Sequence, residues 1–256
     1  MSDAVAQGAA RSTVICAVWH QDPLRRALLA GHSANLDAQT VSVERLYVFD
    51  NGDAPPSELA GRLAGTVLVS PEPLTIYQAW NLALGAVRTP YVGNLNLDDR
   101  LAPDALEKLE GALDAGADLA GGDWEICFSQ AATDEVQACR PSASLPVRQG
   151  WPPKAVPGQR LGSSQPQRTM GPACLWQMVL HQELPRYPHR FDDGGPVRVI
   201  GDWLFWRALA RRGKKLVHLP SVIGNYHSHP GDQAEFREAG AASKEHGRAA
   251  ERACEP

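Results

Sequence analysis

The sequence predicts a single α/β domain, a mostly parallel central sheet flanked by helices on both faces. Short apolar stretches alternate with helical patterns four times within the first 116 residues, the signature of βα units that pair as parallel strands. The first stretch, Thr13 to Trp19, is apolar without interruption, as a strand covered on both faces must be. Polar residues gather where strands and helices end, and an open α/β sheet binds its ligands at the carboxyl ends of its strands. The 256 residues suit one large domain of this kind or two small ones.

In chain order, residues 1–11 are small, polar and aperiodic, a disordered N-terminus. Thr13 to Trp19 is the first strand. Asp22-Pro23 then opens a helix, with Leu24, Leu28 and Leu36 on one face through Ala38. Val43 to Phe49 is the second strand, stopped by the turn cluster from Asp50 to Pro56. Thr66 to Val69 is a third, and Thr75 to Val87 a helix. Tyr91 to Leu95 is a short buried strand ending at Asn96, Asp98 and Asp99, and Pro103 opens the next helix, which Gly116 ends. Leu119 to Phe128 is another strand. From Ser129 to Met170 Pro, Gly, Ser and Gln dominate, a long 130–170 loop assigned to the substrate side. Ala173 to His181 is a short helix, Trp203 to Arg212 a longer one, and Lys215 to Ile223 a strand. Asn225 to Gly231 is a loop, and 233–256 a charged, alanine-rich C-terminal helix or tail. The domain proper spans 12–232, divided into a nucleotide-binding half (12–116) and an acceptor-side half (117–232).

The formal charge of −4 gives no electrostatic footprint for a nucleic acid, and an acidic protein handling phosphate needs a metal or local cations. Five scattered cysteines with no CxxC pair fit free thiols in a reducing compartment. No apolar run approaches the roughly 18 residues of a bilayer span, and the first residues lack a signal-peptide pattern. Cytoplasmic location is the expectation.

Four places carry the chemistry: Asp50 with Asp53, Asn96 with Asp98 and Asp99, Asp202, and His227 with His229. Asn96 and Asp98 share one side of an extended segment, and oxygen ligands two apart suit a hard cation such as Mg2+ or Mn2+ shared with a phosphate. An acid ending the second strand can accept hydrogen bonds from a nucleoside. Each residue also has an ordinary structural role open to it. Asp50 can be a turn residue, Asp98 and Asp99 solvated or paired with a helix N-terminus, Asp202 a helix cap, and the histidines surface residues.

In this order the motifs resemble the family 2 glycosyltransferases, inverting enzymes of the GT-A fold. Val48-Phe49-Asp50-Asn51-Gly52-Asp53 is similar to the family's nucleotide segment. Ile76-Tyr77-Gln78-Ala79-Trp80-Asn81 is similar to its next helix, and Leu95-Asn96-Leu97-Asp98-Asp99 to the metal-binding DXD motif. Gly201-Asp202-Trp203-Leu204-Phe205-Trp206-Arg207 is similar to the segment carrying its base, and Tyr226-His227-Ser228-His229-Pro230-Gly231 to its last motif. The resemblance runs from about Thr13 to His229. It implies a nucleotide-diphosphate-sugar donor, a divalent metal (Mn2+ or Mg2+), and a glycan, lipid-linked or small-molecule acceptor. It implies Asp202 as general base. Asp50, Asp53, Asn81 and Asn96 would contact the donor, and Asp98, Asp99 and His229 the metal. Trp176 and Trp203 are either acceptor-side aromatics or core.

The chain departs from the pattern at His20, Trp80, Asn96, Gly201 and His227. Asn96 replaces the first aspartate of DXD, and Gly201 replaces the glutamate before the base, which is expected to leave room for the acceptor. A nucleotidyltransferase on a related fold would want an early glycine-rich basic loop, which is absent. A non-catalytic sugar- or nucleotide-binding relative would fail to turn over donor with metal present. A dinucleotide dehydrogenase is excluded, because Trp19-His20-Gln21-Asp22 stands where GxGxxG belongs.

Overall fold

A computed structural model describes residues 9–19, 24–55, 63, 65–142, 174–184, 186–191 and 194–227. Residues 1–8, most of the 130–170 loop and the 233–256 tail therefore lie outside the described residues, as do His20, Asp192, Asp193 and His229.

The first half follows the expected alternation. β1 (Ser12–Val18), β2 (Val43–Phe49), β3 (Thr66–Val69) and β4 (Tyr91–Asn94) are linked through α1 (Arg25–Asp37) and α2 (Ile76–Leu84). β5 (Arg100–Leu101), α3 (Ala105–Asp114) and β6 (Leu119–Cys127) follow. Thr75 and Gln78 start α2 with a reciprocal capping box, each side chain taking the other's backbone N–H. α3 stops because Gly116, at φ 88°, turns the chain left-handed. Its N–H then reaches Leu113 O, and Ala117 N–H reaches Ala112 O, satisfying the last carbonyls.

The remaining elements are α4 (Gln130–Asp134), β7 (Arg140–Pro141), β8 (Leu175–Gln177), α5 (Leu180–Glu183), α6 (Gly201–Arg211) and β9 (Leu216–His227). Three expectations are corrected here. Leu175–Gln177, expected in a helix, is a strand. It fills the gap between β4 and β6 and pairs antiparallel with both, so its two sets of ladder bonds override local propensity. The start of the expected 130–170 loop is regular: Ser129 caps α4 through Ala132 N–H at 3.2 Å, and β7 pairs with β9. Asn225, Tyr226 and His227, expected in a loop, belong to β9, which runs to His227; the rest of that expected loop lies outside the described residues.

The strand order is β3-β2-β1-β4-β8-β6-β9-β5, with β7 also on β9. β1 to β4 are parallel. β6 opposes β8 as β4 does, so β6 and its parallel partner β9 run the same way as β4. The carboxyl ends Val18, Phe49, Asn94, Cys127 and His227 thus share one edge of the sheet. Cores fill both faces. Ile15, Val92, Leu119 and Trp176 pack under Ala79 and Ala83 of α2 and Phe205 and Leu209 of α6. On the other face Val14, Leu95 and Ala120 meet Leu106, Leu109 and Leu113 of α3, and Cys16, Val18, Tyr47 and Phe49 meet Leu28 and Leu29 of α1. Each large aliphatic side chain buried here stabilises the fold by about 1.5–3 kcal/mol. Leu24, expected on the apolar face of α1, stands exposed at its N-cap. No helix among the described residues is long and apolar enough to cross a membrane.

Candidate active site

Asp50 follows the last residue of β2 and is buried. Asn51 and Gly52 take positive φ (55° and 68°), a conformation that asparagine and glycine tolerate best. That lets Asn51 N–H reach Glu72 O and Gly52 N–H reach Ser70 O, tying the turn to the end of β3. Asp50 Oδ2 accepts from Leu74 N–H at 3.1 Å, just ahead of the α2 cap. Asp53 is half-buried and closes the turn through its N–H to Asp50 O at 3.0 Å. The carboxylate of Asp50 therefore orders the turn and stands at the ligand edge at once.

The segment after β4 alternates in burial. Leu95, Leu97 and Asp99 are buried, and Asn96 and Asp98 half-buried. Asp99 N–H returns to Asn96 O at 3.2 Å, closing a turn. Asp99 is fully buried, and its Oδ1 accepts the backbone N–H of His227 at 2.9 Å. Its Oδ2 is buried without a hydrogen bond among the described residues. Burial first, then the charge of Asp98, push the Asp99 carboxyl well above the usual carboxylate range. The His227 N–H, the Arg100 charge and the Asn96 side chain pull it partly back. The same Asp98 charge reaches the end of β1, where, after burial, it helps to raise the Cys16 thiol. A cation between Asp98 and Asp99 would relieve both the repulsion and the unpartnered oxygen. Hard oxygen donors are the right chemistry for Mn2+ or Mg2+. No group of three or more His, Cys, Asp or Glu forms a metal cluster among the described residues.

Asp202 lies in the first turn of α6, half-buried. Its Oδ1 accepts from Trp203 N–H at 2.7 Å and lies 3.5 Å from the Tyr77 hydroxyl, whose one proton goes to Val199 O at 2.7 Å. Its charge contributes, after burial, to raising the Cys174 thiol and the Tyr187 hydroxyl. Cys174 adjoins β8 where β8 pairs with β4. Gly201 does not open space for an acceptor. A Cβ there would lie 2.7 Å from the ring of Tyr77, which fills that space.

Asn81 holds Tyr187 by both backbone groups, Nδ2 donating to its carbonyl at 2.8 Å and Oδ1 accepting its N–H at 2.9 Å. Trp176 is fully buried, edge-on to Tyr187 and Phe205, and belongs to the core. Trp203 is half-buried with the Arg207 guanidinium 5.1 Å above its ring. His227 is buried, its Nδ1 3.4 Å from Thr133 Oγ1.

Three contributors escaped the sequence. Tyr77 touches Asp202 from 125 residues away. Gln130 donates to Asp98 O at 3.2 Å. Arg100 is buried beneath the turn and pairs with Asp134 at 2.8 Å. The one local signal for α4 was the capping serine, Ser129. Beside α4, Glu125, Phe128, Gln137 and Arg140 line a cleft of about 610 Å³ at the carboxyl end of β6.

The model of glycosyl transferase family 2 matches residues 28–158, just over half of the chain. No curated protein matches the sequence. Among solved structures, the 1–349 portion of TarS from S. aureus is similar at TM-score 0.59 and 13% identity, over 86% of this chain and 60% of that one. The same portion bound to UDP gives 0.60 and 14%, over 87% and 62%. A mannosyltransferase from Pyrobaculum calidifontis, solved with GDP-Man and Mn2+, gives 0.53 and 16%, over 84% and 56%. The chain thus spans about three-fifths of the length of these structures, which share its fold.

Proposed function

The chain belongs to glycosyl transferase family 2, and from that premise we propose that it moves a sugar from a nucleotide-diphosphate-sugar donor to an acceptor hydroxyl, with inversion at the anomeric carbon. The observation that carries this reading is Asp99. It is a buried carboxylate at the ligand edge of the sheet, with one oxygen held by His227 N–H and the other lacking a hydrogen bond among the described residues. A buried polar atom left without a hydrogen bond is costly, and a cation held between Asp98 and Asp99 would offset that cost. Similar folds carrying UDP, or GDP-Man and Mn2+, support the same reading.

Asp50, and Asp53 beside it, would accept hydrogen bonds from the nucleoside. Asp98 and Asp99 would hold a divalent cation, with Asn96 on the same side and His229 as a further ligand. That cation, when bound, would neutralise charge on the departing diphosphate. Asp202 takes the proton of the acceptor hydroxyl as its oxygen attacks the anomeric carbon from the face opposite the diphosphate. The bond from that carbon to the diphosphate oxygen breaks, and the nucleoside diphosphate leaves. The Trp203 N–H orients the Asp202 carboxylate, with the Tyr77 hydroxyl 3.5 Å away. The free cysteines fit a reducing, cytoplasmic setting.

The test is release of nucleoside diphosphate from a panel of nucleotide sugars, with Mn2+, by the parent and by Asp202→Asn. The variant keeps size and the N-terminal hydrogen bond. Turnover should fall by roughly 10²–10⁴-fold, the usual contribution of a general base, with donor affinity nearly unchanged. Release at the parent rate would reduce Asp202 to a helix cap.

A further inference from the structure

Beneath the 96–99 turn lies a buried cation. Arg100 is 2% exposed. Its Nη1 donates to Leu97 O at 2.9 Å and to Asp99 O at 2.7 Å, and its Nε pairs with Asp134 Oδ1 at 2.8 Å. Its Nη2 rests on α1 at Gly31, where any Cβ would collide with it. Gln130 Nε2 takes the intervening carbonyl, Asp98 O, at 3.2 Å, and also bonds Asp134 Oδ1 at 3.0 Å. Three consecutive carbonyls of the turn, at 97, 98 and 99, are thus each held by a side chain. Residues of α1 and α4, distant in sequence, are shaped around that grip.

Simple packing does not account for this arrangement. An apolar side chain would fill the space without the desolvation cost of a guanidinium. A lysine would supply the charge, but only a planar fork with fixed donors can bind carbonyls on one side and a carboxylate on the other. Glycine at 31 is the sole residue that lets the fork lie so close to the α1 backbone. The carbonyls at 97 and 99 flank Asp98, and the side chains of Asp98 and Asp99 leave the chain from the peptide units so held.

We propose that Arg100, clamped by Asp134 and seated on Gly31, is a positioning residue that aims the Asp98 and Asp99 carboxylates at a divalent cation shared with the donor diphosphate. This rests on the donor-site reading above. It goes beyond that reading in assigning the alignment of the turn to a buried Arg–Asp pair and to α4, in the half of the chain that follows β6.

The test is Mn2+ binding, followed by electron paramagnetic resonance, to the full chain in the presence of UDP and of GDP. It compares the parent with Arg100→Lys, Asp134→Asn and Gly31→Ala. UMP and GMP binding and thermal unfolding are measured in parallel. Asp134 is half exposed, so Asp134→Asn should fold even if Arg100→Lys does not. The Mn2+ dissociation constant should rise by roughly 10–100-fold in each folded variant, the usual effect of disturbing a group that orients metal ligands. Monophosphate binding should stay within about twofold, and raising Mn2+ should recover sugar transfer by Asp134→Asn. A merely structural role would lower the melting temperature and leave the Mn2+ constant of the folded protein alone. Folded variants that bind Mn2+ like the parent would overturn the inference and leave the donor site standing. A parent that binds no Mn2+ with either diphosphate would overturn the donor-site reading, and this inference with it.

Discussion

Replacing Gly201 with alanine should destabilise the protein, although alanine is the better helix former. A Cβ at this position would lie 2.7 Å from Tyr77 Cδ2 and Cε2 and 2.8 Å from Cδ1. Carbon atoms pack at about 3.5–4.0 Å, so the ring would have to retreat by nearly 1 Å. It has nowhere to go. Tyr77 is 3% exposed, 5.5 Å from the Trp80 ring and 5.9 Å from the Tyr187 ring, and its hydroxyl is anchored on Val199 O. Forcing an extra methyl group into packed surroundings costs about 1–3 kcal/mol. Helix propensity returns at most about 1 kcal/mol, and less at the first residue of a helix. The net loss of about 1–2 kcal/mol corresponds to a melting temperature lower by roughly 2–8 °C in a chain of this length. Because the Tyr77 hydroxyl also meets Asp202, sugar transfer should fall more than donor binding does. Calorimetric melting of Gly201→Ala, Tyr77→Leu and the double variant measures the clash directly, since the penalty should largely vanish once the ring is gone. A Gly201→Ala protein as stable as the parent, or more so, would refute the contact and restore the idea that the glycine leaves open room.

Two further outcomes follow from the same geometry. Asp50→Ala removes a carboxylate that both faces the ligand edge and holds Leu74 N–H. It should weaken nucleotide binding by calorimetry with a stability loss of only about 1 kcal/mol, the worth of one hydrogen bond, and unchanged affinity would reject the assignment. His181 is pushed down to about 4, first by burial and then by Arg186, and its Nε2 accepts the Trp176 indole N–H at 3.0 Å. Its folded pKa lies below the unfolded value of about 6.5, so its contribution is complete above pH 6.5 or so and is lost as pH falls toward 4. Urea unfolding near pH 7 and near pH 5 should show His181→Gln losing about 1–2 kcal/mol less than the parent, after discounting for partial solvent screening. Equal losses would show that other groups govern the acid limb.

The parts legible in the sequence were those governed by local rules. The Ile15–Val18 stretch had to be covered on both faces. Thr75 to Val87 read as a helix, and Gly116 as the end of α3. The polar residues Asp50 and Asp98 followed strands whose alternation with helices predicted a parallel sheet. What stayed hidden depended on distant partners. Leu175-Trp176-Gln177 becomes a strand only because β4 and β6 leave a gap for it, and Gly93 lets its backbone approach, with Cys174 O where a Cβ would stand. Arg100 follows two aspartates, which reads as solvated charge, yet its partner Asp134 arrives from a helix masked by loop-like composition. The Tyr77–Asp202 contact, and with it the reason for Gly201, joins two helices far apart in the chain.

The central claim is a nucleoside-diphosphate site completed by a divalent cation at Asp98 and Asp99. Thermal unfolding of the full chain with UDP, GDP, ADP and the matching monophosphates, each with Mn2+ and with EDTA, tests it most directly. A ligand that binds only the folded state raises its stability by about 2.7 kcal/mol at a hundredfold excess over its dissociation constant. At least one diphosphate should therefore raise the melting temperature by several degrees with Mn2+, with most of the gain lost in EDTA and in Asp98→Asn. No shift with any diphosphate, or an equal shift in EDTA, would contradict the claim.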